Sequence, residues 1–162
     1  MRSTRGSIIG VSSASTDRVQ VLVMSQHDAV RLQLVMYLGR SLSLAVSGDA
    51  FSADAIVQSA PDVLVLDLSR LGDEQLRQAI DAAHRIGARL VALASIREPT
   101  AERAVMEAGG LYRLKSAGAD GLAEVVGEVA SRARARSRRA NDLAATYIGS
   151  ESDALAPRVA AP

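Results

Sequence analysis

The chain has 162 residues, a formal net charge of +1, 48% hydrophobic and 2% aromatic residues, and no cysteine. That length holds one domain with a sizeable core plus a tail, and a core so poor in aromatics must be built from Ala, Val and Leu. Without cysteine there are no disulfides, thiolate metal sites or cysteine nucleophiles. The near-neutral charge implies no strongly charged partner for the whole chain, and the few aromatics argue against a base-stacking surface for single-stranded nucleic acid. Only His27 and His84 supply imidazoles, without the spacing of zinc ligands.

Residues 1–17 read as a flexible polar lead-in. Its patch Ile8-Ile9-Gly10-Val11 is too short for a signal-peptide core, and no stretch approaches transmembrane length, so a cytoplasmic location is expected. Val19–Met24 is the first strand, followed by a loop with Asp28 as a helix N-cap. From Ala29 to Leu38 the apolar positions Val30, Leu34, Val35 and Leu38 recur at helical spacing, and Gly39 closes the segment. Leu42–Val46 alternates as a short strand. Ser52 to Ala60 reads as a helix capped by Ser52, with Ala55, Ile56 and Ser59 on its inner side.

Pro61-Asp62 then precedes Val63-Leu64-Val65-Leu66-Asp67-Leu68. A short β-branched apolar run of this kind is a strand buried on both faces, typical of parallel sheets covered by helices. It places Asp67 at the carboxyl end of the strand, the edge where ligands and chemistry sit in an open α/β sheet. Asp73–Ile86 is a third helix ended by Gly87, and Leu90–Ala94 a fourth strand. Pro99–Ala108 is a fourth helix with Pro99 in its first turn, stopped by Gly109-Gly110. Leu111–Leu114 is a fifth strand, and a last helix runs from Ala119 to about Arg136. Five strands alternating with five helices mean βαβ units, right-handed crossovers and a doubly wound, flavodoxin-like α/β fold with a mainly parallel sheet. The domain is expected over residues 18–136. Arg132, Arg134, Arg136, Arg138 and Arg139 crowd its end, and residues 137–162 read as a disordered tail rich in Ala and Pro.

With this order of elements, the segment Pro61–Leu68, the Ala108-Gly109-Gly110 run followed by Tyr112, and Lys115 after strand five, the chain resembles a response-regulator receiver domain over residues 19–131. The resemblance implies a sheet of strand order 2-1-3-4-5. It implies that Asp67 accepts a phosphoryl group from a histidine kinase beside a Mg²⁺ ion, that Lys115 pairs with the phosphoryl oxygens or with Asp67, and that Tyr112 is the switch aromatic. Phosphoryl transfer of this kind rests on positioning and charge stabilisation.

The sequence also departs from that family. Where the resemblance implies two metal-holding acids after strand one, Ser25 and Gln26 stand, and neither replaces a carboxylate as a hard-cation ligand. Asp28 is nearby but falls where the first helix begins. The hydroxyl expected at the end of strand four is replaced by Ala94, with Ser95 able to serve if the register moves by one. Arg70, near Asp67, is a candidate fixed cation in place of the metal. Between Gly109 and Tyr112 the chain is one residue shorter than the family pattern, which reshapes the loop before strand five. A pocket bounded by Ser25, Gln26, Asp67, Ala94 and Lys115 would be less negative than usual, open to a neutral or anionic ligand.

The expected function is therefore an atypical, stand-alone receiver domain and not an enzyme. It would work through protein partners such as a sensor kinase, with weak or no Mg²⁺-dependent phosphorylation, no cofactor, and a homodimer face on helix four, strand five and helix five that includes Arg103, Met106, Glu107, Leu122 and Val126. One alternative is a conventional phosphoacceptor using Asp67. Another is a regulator touching DNA phosphates through Arg132–Arg139, although too little chain follows the last helix for a helix-turn-helix domain. No G-x-G-x-x-G loop follows any strand.

Overall fold

Strand alternation sorts the core of this protein into two layers, and a computed structural model describes the arrangement for residues 18–117, 121–132 and 134–135. The elements in chain order are β1 (Val19–Met24), α1 (Asp28–Leu38), β2 (Leu44–Asp49), α2 (Ala53–Ser59), β3 (Val63–Asp67), α3 (Asp73–Ile86), β4 (Arg89–Ala94), α4 (Pro99–Glu107) and β5 (Leu111–Leu114). A single 3₁₀ turn, Lys115–Ala117, follows, and α5 occupies residues 121–132. The expected lead-in 1–17 and tail 137–162 lie outside the described residues.

The strands form one parallel sheet in the order β2-β1-β3-β4-β5. Leu22, Met24, Leu64, Leu66, Leu90 and Ala92 point to one face, where Ile56 of α2, Leu76 and Ala79 of α3 and Val105 of α4 cover them. Val21, Val23, Val63, Val65, Val91 and Leu93 point to the other, covered by Leu38 of α1 and by Leu122, Val126 and Ala130 of α5. β3 is the central strand and all its residues are buried. Small side chains do much of the packing: Ala79, Ala82, Ala83 and Ala92 have at most 2% of their surface exposed, which lets α3 approach the sheet closely.

Most element ends agree with the sequence, and the exceptions have local causes. The N-cap of α1 is His27, and Asp28 is its first helical residue, where a carboxylate suits the positive end of the helix. β2 begins at Leu44, not Leu42, and runs on through Ser47-Gly48-Asp49, because pairing with β1 from Val19↔Leu44 to Met24↔Asp49 outweighs the weak strand preference of those residues. Gly48 is needed there for space, since a Cβ would come within 2.7 Å of Val35 Cγ2. Ser59 is exposed rather than inward, its hydroxyl turned back to the Ala55 carbonyl. Ser52 caps α2 by accepting from the Ala55 amide, and Gly87 ends α3 at φ +71°.

Leu122 and Val126 do not belong to an outer face: they are 6% and 0% exposed, one helical turn apart on the inner stripe of α5. Arg132 is paired with Glu128, and Arg136, Arg138 and Arg139 lie outside the described residues. No described helix is long and apolar enough to cross a membrane.

Candidate functional site

The carboxyl ends of β1, β3, β4 and β5 meet at one edge of the sheet. Ser25 follows β1, Asp67 ends β3, Ser69 lies two residues beyond, Ser95 follows β4, and Lys115 follows β5. Parallel pairing brings these ends level: Asp67 stands beside Leu93, and Ala94 beside Leu114. The register of β5 therefore leaves Lys115 in reach of Asp67.

The Asp67 carboxylate is fully buried. The Lys115 ammonium lies 2.6 Å from Oδ1, and the Ser69 amide donates to the same oxygen at 3.0 Å. Ser25 Oγ donates to Oδ2 at 2.7 Å. Ser25, itself 1% exposed, is oriented by the His27 amide, which donates to its Oγ at 3.0 Å, while Arg31 Nη1 donates to its carbonyl at 3.0 Å. Lys115 Nζ also donates to Ser69 Oγ at 2.9 Å, and Ser69 Oγ lies 3.2 Å from Ser95 Oγ. The result is a buried ion pair, rimmed by three hydroxyls, with both carboxylate oxygens engaged. Among the described residues no buried side-chain polar atom lacks a partner.

Burial pushes the Asp67 carboxyl up, but the Lys115 and Ser25 hydrogen bonds, the Ser69 amide and the Lys115 charge together outweigh it. The group titrates below its ordinary value and is a carboxylate at neutral pH.

Of the other candidate positions, Ala94 is buried at 1% and has no polar group, so the hydroxyl that β4 brings to the site is that of the next residue, Ser95, which reaches Ser69 Oγ and not Asp67 directly. Tyr112 is half-buried; its hydroxyl accepts from the Glu98 amide at 3.0 Å and donates to the Ile96 carbonyl at 3.2 Å, clasping β5 to the β4–α4 loop. Arg70 is not the cation of the site. It is exposed, in a left-handed turn at φ +64°, and makes no ion pair among the described residues; Lys115 holds the carboxylate instead. Asp28 points to solvent, its side chain 90% exposed and paired with Arg31.

The residues present do not fit the Mg²⁺ that the resemblance implies. A hard divalent ion wants several anionic or carbonyl oxygens. Here the one carboxylate is engaged on both oxygens by an ammonium and two other donors, Gln26 is exposed, and no group of three or more His, Asp or Glu capable of holding a metal occurs among the described residues.

Two contributors escaped sequence reasoning. Ser69 had a signal: an Asp commonly accepts from the amide two residues on. Arg31, which braces the Ser25 carbonyl, had none.

No family model and no curated protein matches the sequence. Solved structures do match the fold. The signal receiver domain of a NarL response regulator from Mycobacterium tuberculosis is 23% identical, with 71% of this chain and 98% of that one covered and a TM-score of 0.61. A CheY-like receiver domain protein from Methanospirillum hungatei JF-1 is 17% identical, covering 74% of this chain and 98% of its own, at a TM-score of 0.63. The receiver domain of a modulated diguanylate cyclase from Desulfovibrio desulfuricans G20 is also 17% identical, with coverages of 74% and 99% and a TM-score of 0.62. The chain has the fold of response-regulator receiver domains.

Proposed function

We propose that this chain acts in signal transduction as an atypical receiver domain, not as an enzyme, and works mainly by contact with other proteins. Mg²⁺-dependent phosphorylation of Asp67 is weak or absent. The observation that carries this reading is the state of Asp67: its carboxylate is fully buried, with Lys115 and the Ser69 amide on one oxygen and Ser25 on the other. A nucleophile in that condition must first break a short ion pair and then attack without a metal to neutralise the phosphoryl oxygens.

Partners are a sensor kinase or another signalling protein, in keeping with the solved receiver domains whose fold it shares. The proposed homodimer face lies on α4 and β5, where Met106 and Leu111 are 62% and 43% exposed and Arg103 and Glu107 are exposed as well.

A second reading, a conventional phosphoacceptor, draws support from Lys115 and the Ser69 and Ser95 hydroxyls beside Asp67. Titration of Mg²⁺ and then beryllofluoride, a phosphoryl mimic, separates the two. The atypical reading expects amide signals near Asp67, Lys115 and Tyr112 to stay put in a well-folded spectrum. Saturable shifts at those residues would replace it with the second reading.

A further inference from the structure

A cavity of about 520 Å³ opens between α1, the β4–β5 edge and α5, with Lys115 in its lining. Its size is that of a small-molecule site. Its walls are apolar: Val30 and Leu34 come from α1, Leu93 and Leu114 from the sheet, and Leu122 from α5. The charged groups that line it among the described residues are all cations, namely Arg40, Arg113 and Lys115. Arg40 rests over the Tyr37 ring at 5.9 Å, and neither Arg40 nor Arg113 has an acidic partner among the described residues. An apolar chamber whose charged lining, among the described residues, is cationic is complementary to an apolar body bearing one negative charge.

We infer that this cavity binds an organic acid with an apolar body, its carboxylate held at Arg113 beside Lys115 and its body between α1 and α5. Lys115 serves two neighbours. It lines the cavity with 27% of its side chain exposed, and its ammonium pairs with Asp67 at 2.6 Å. An occupant's carboxylate competes with Asp67 for that ammonium, so occupancy is felt at the buried ion pair. The inference holds whether or not Asp67 accepts a phosphoryl group.

Because Lys115 is the only lysine, selective ¹³C and ¹⁵N labelling of lysine yields one side-chain signal from the full chain. Decanoate, titrated below its micelle threshold, is expected to move that signal saturably. Decanol (the same tail without the charge) should bind at least about tenfold more weakly, a difference of about 1.4 kcal/mol. Acetate, the charge without the tail, should not saturate. Arg113→Gln, an exposed substitution that leaves the core alone, should weaken decanoate about tenfold without changing the melting temperature. The inference is overturned if decanoate causes no saturable shift, if decanol binds equally well, if acetate saturates over the same range, or if Arg113→Gln has no effect.

Discussion

Asp67 and Lys115 meet at 2.6 Å from the ends of two strands that are not neighbours, with β4 lying between them. The carboxylate is buried and the ammonium partly open, so the two partners differ in what their loss leaves behind. Removing the lysine strands a buried charge; removing the acid leaves an ammonium that can reach water.

Lys115→Gln is therefore expected to cost about 2–3 kcal/mol, at or below the low end for breaking a buried pair, since Ser25 and the Ser69 amide still serve the carboxylate. Asp67→Asn should cost less. Urea denaturation of both variants checks the order, and a larger loss for Asp67→Asn would contradict the asymmetry.

Acid should expose the same relationship. The folded pKa of Asp67 is depressed, so its contribution to stability is fully present above the unfolded value of about 3.9 and is lost as pH falls through the folded pKa. Stability profiles in mild urea should fall on the acid side more steeply for the wild type than for Asp67→Asn. Parallel profiles would show that the carboxylate is not held as described.

Ser25→Ala removes a hydrogen bond to a buried ionised group and should cost about 1.5–3 kcal/mol. The pair Ser25→Asp and Gln26→Asp, made together, adds two carboxylates beside Asp67. It should raise Mg²⁺ affinity at least about tenfold over the wild type, worth about 1.4 kcal/mol. Calorimetric titration decides this, and equal affinities would mean that another feature sets metal binding.

Arg70→Gly relieves a left-handed backbone at φ +64° and should stabilise the fold by about 1 kcal/mol while leaving the acid limb of the stability profile unmoved. A change in that limb would put Arg70 back beside Asp67.

Tyr112→Phe breaks the clasp on the β4–α4 loop, two hydrogen bonds worth together about 1–3 kcal/mol. Hydrogen exchange at the Glu98 amide should quicken, with little change in the strands. Unchanged exchange would show that the loop is held by other contacts.

Much of this was legible in one dimension. Apolar runs of strand length, helical spacing between them, and breakers such as Gly87 and Gly109-Gly110 determine the alternating α/β order, and they put Asp67 at the end of the most buried strand. Those are local properties of backbone geometry and burial, which sequence periodicity carries directly. Strand order was implied by the resemblance, and the pairing of the five strands bears it out.

The partners of Asp67 were decided only in three dimensions. Arg70 lies close to it in sequence yet turns away, because its turn takes a left-handed backbone, whereas Lys115 arrives through the parallel register of β3, β4 and β5. β2 was misplaced for the same reason: its pairing partner β1, and not its own residues, sets where it begins and ends. Leu122 and Val126 face inward because the sheet needs a cover on that side. Ser25, read as a neutral gap left by a missing acid, becomes a donor to the carboxylate once its hydroxyl is placed 2.7 Å from Asp67. Pattern along a chain reports which faces must be buried; which side chains then meet is set by register and rotamer, which depend on residues far apart in sequence.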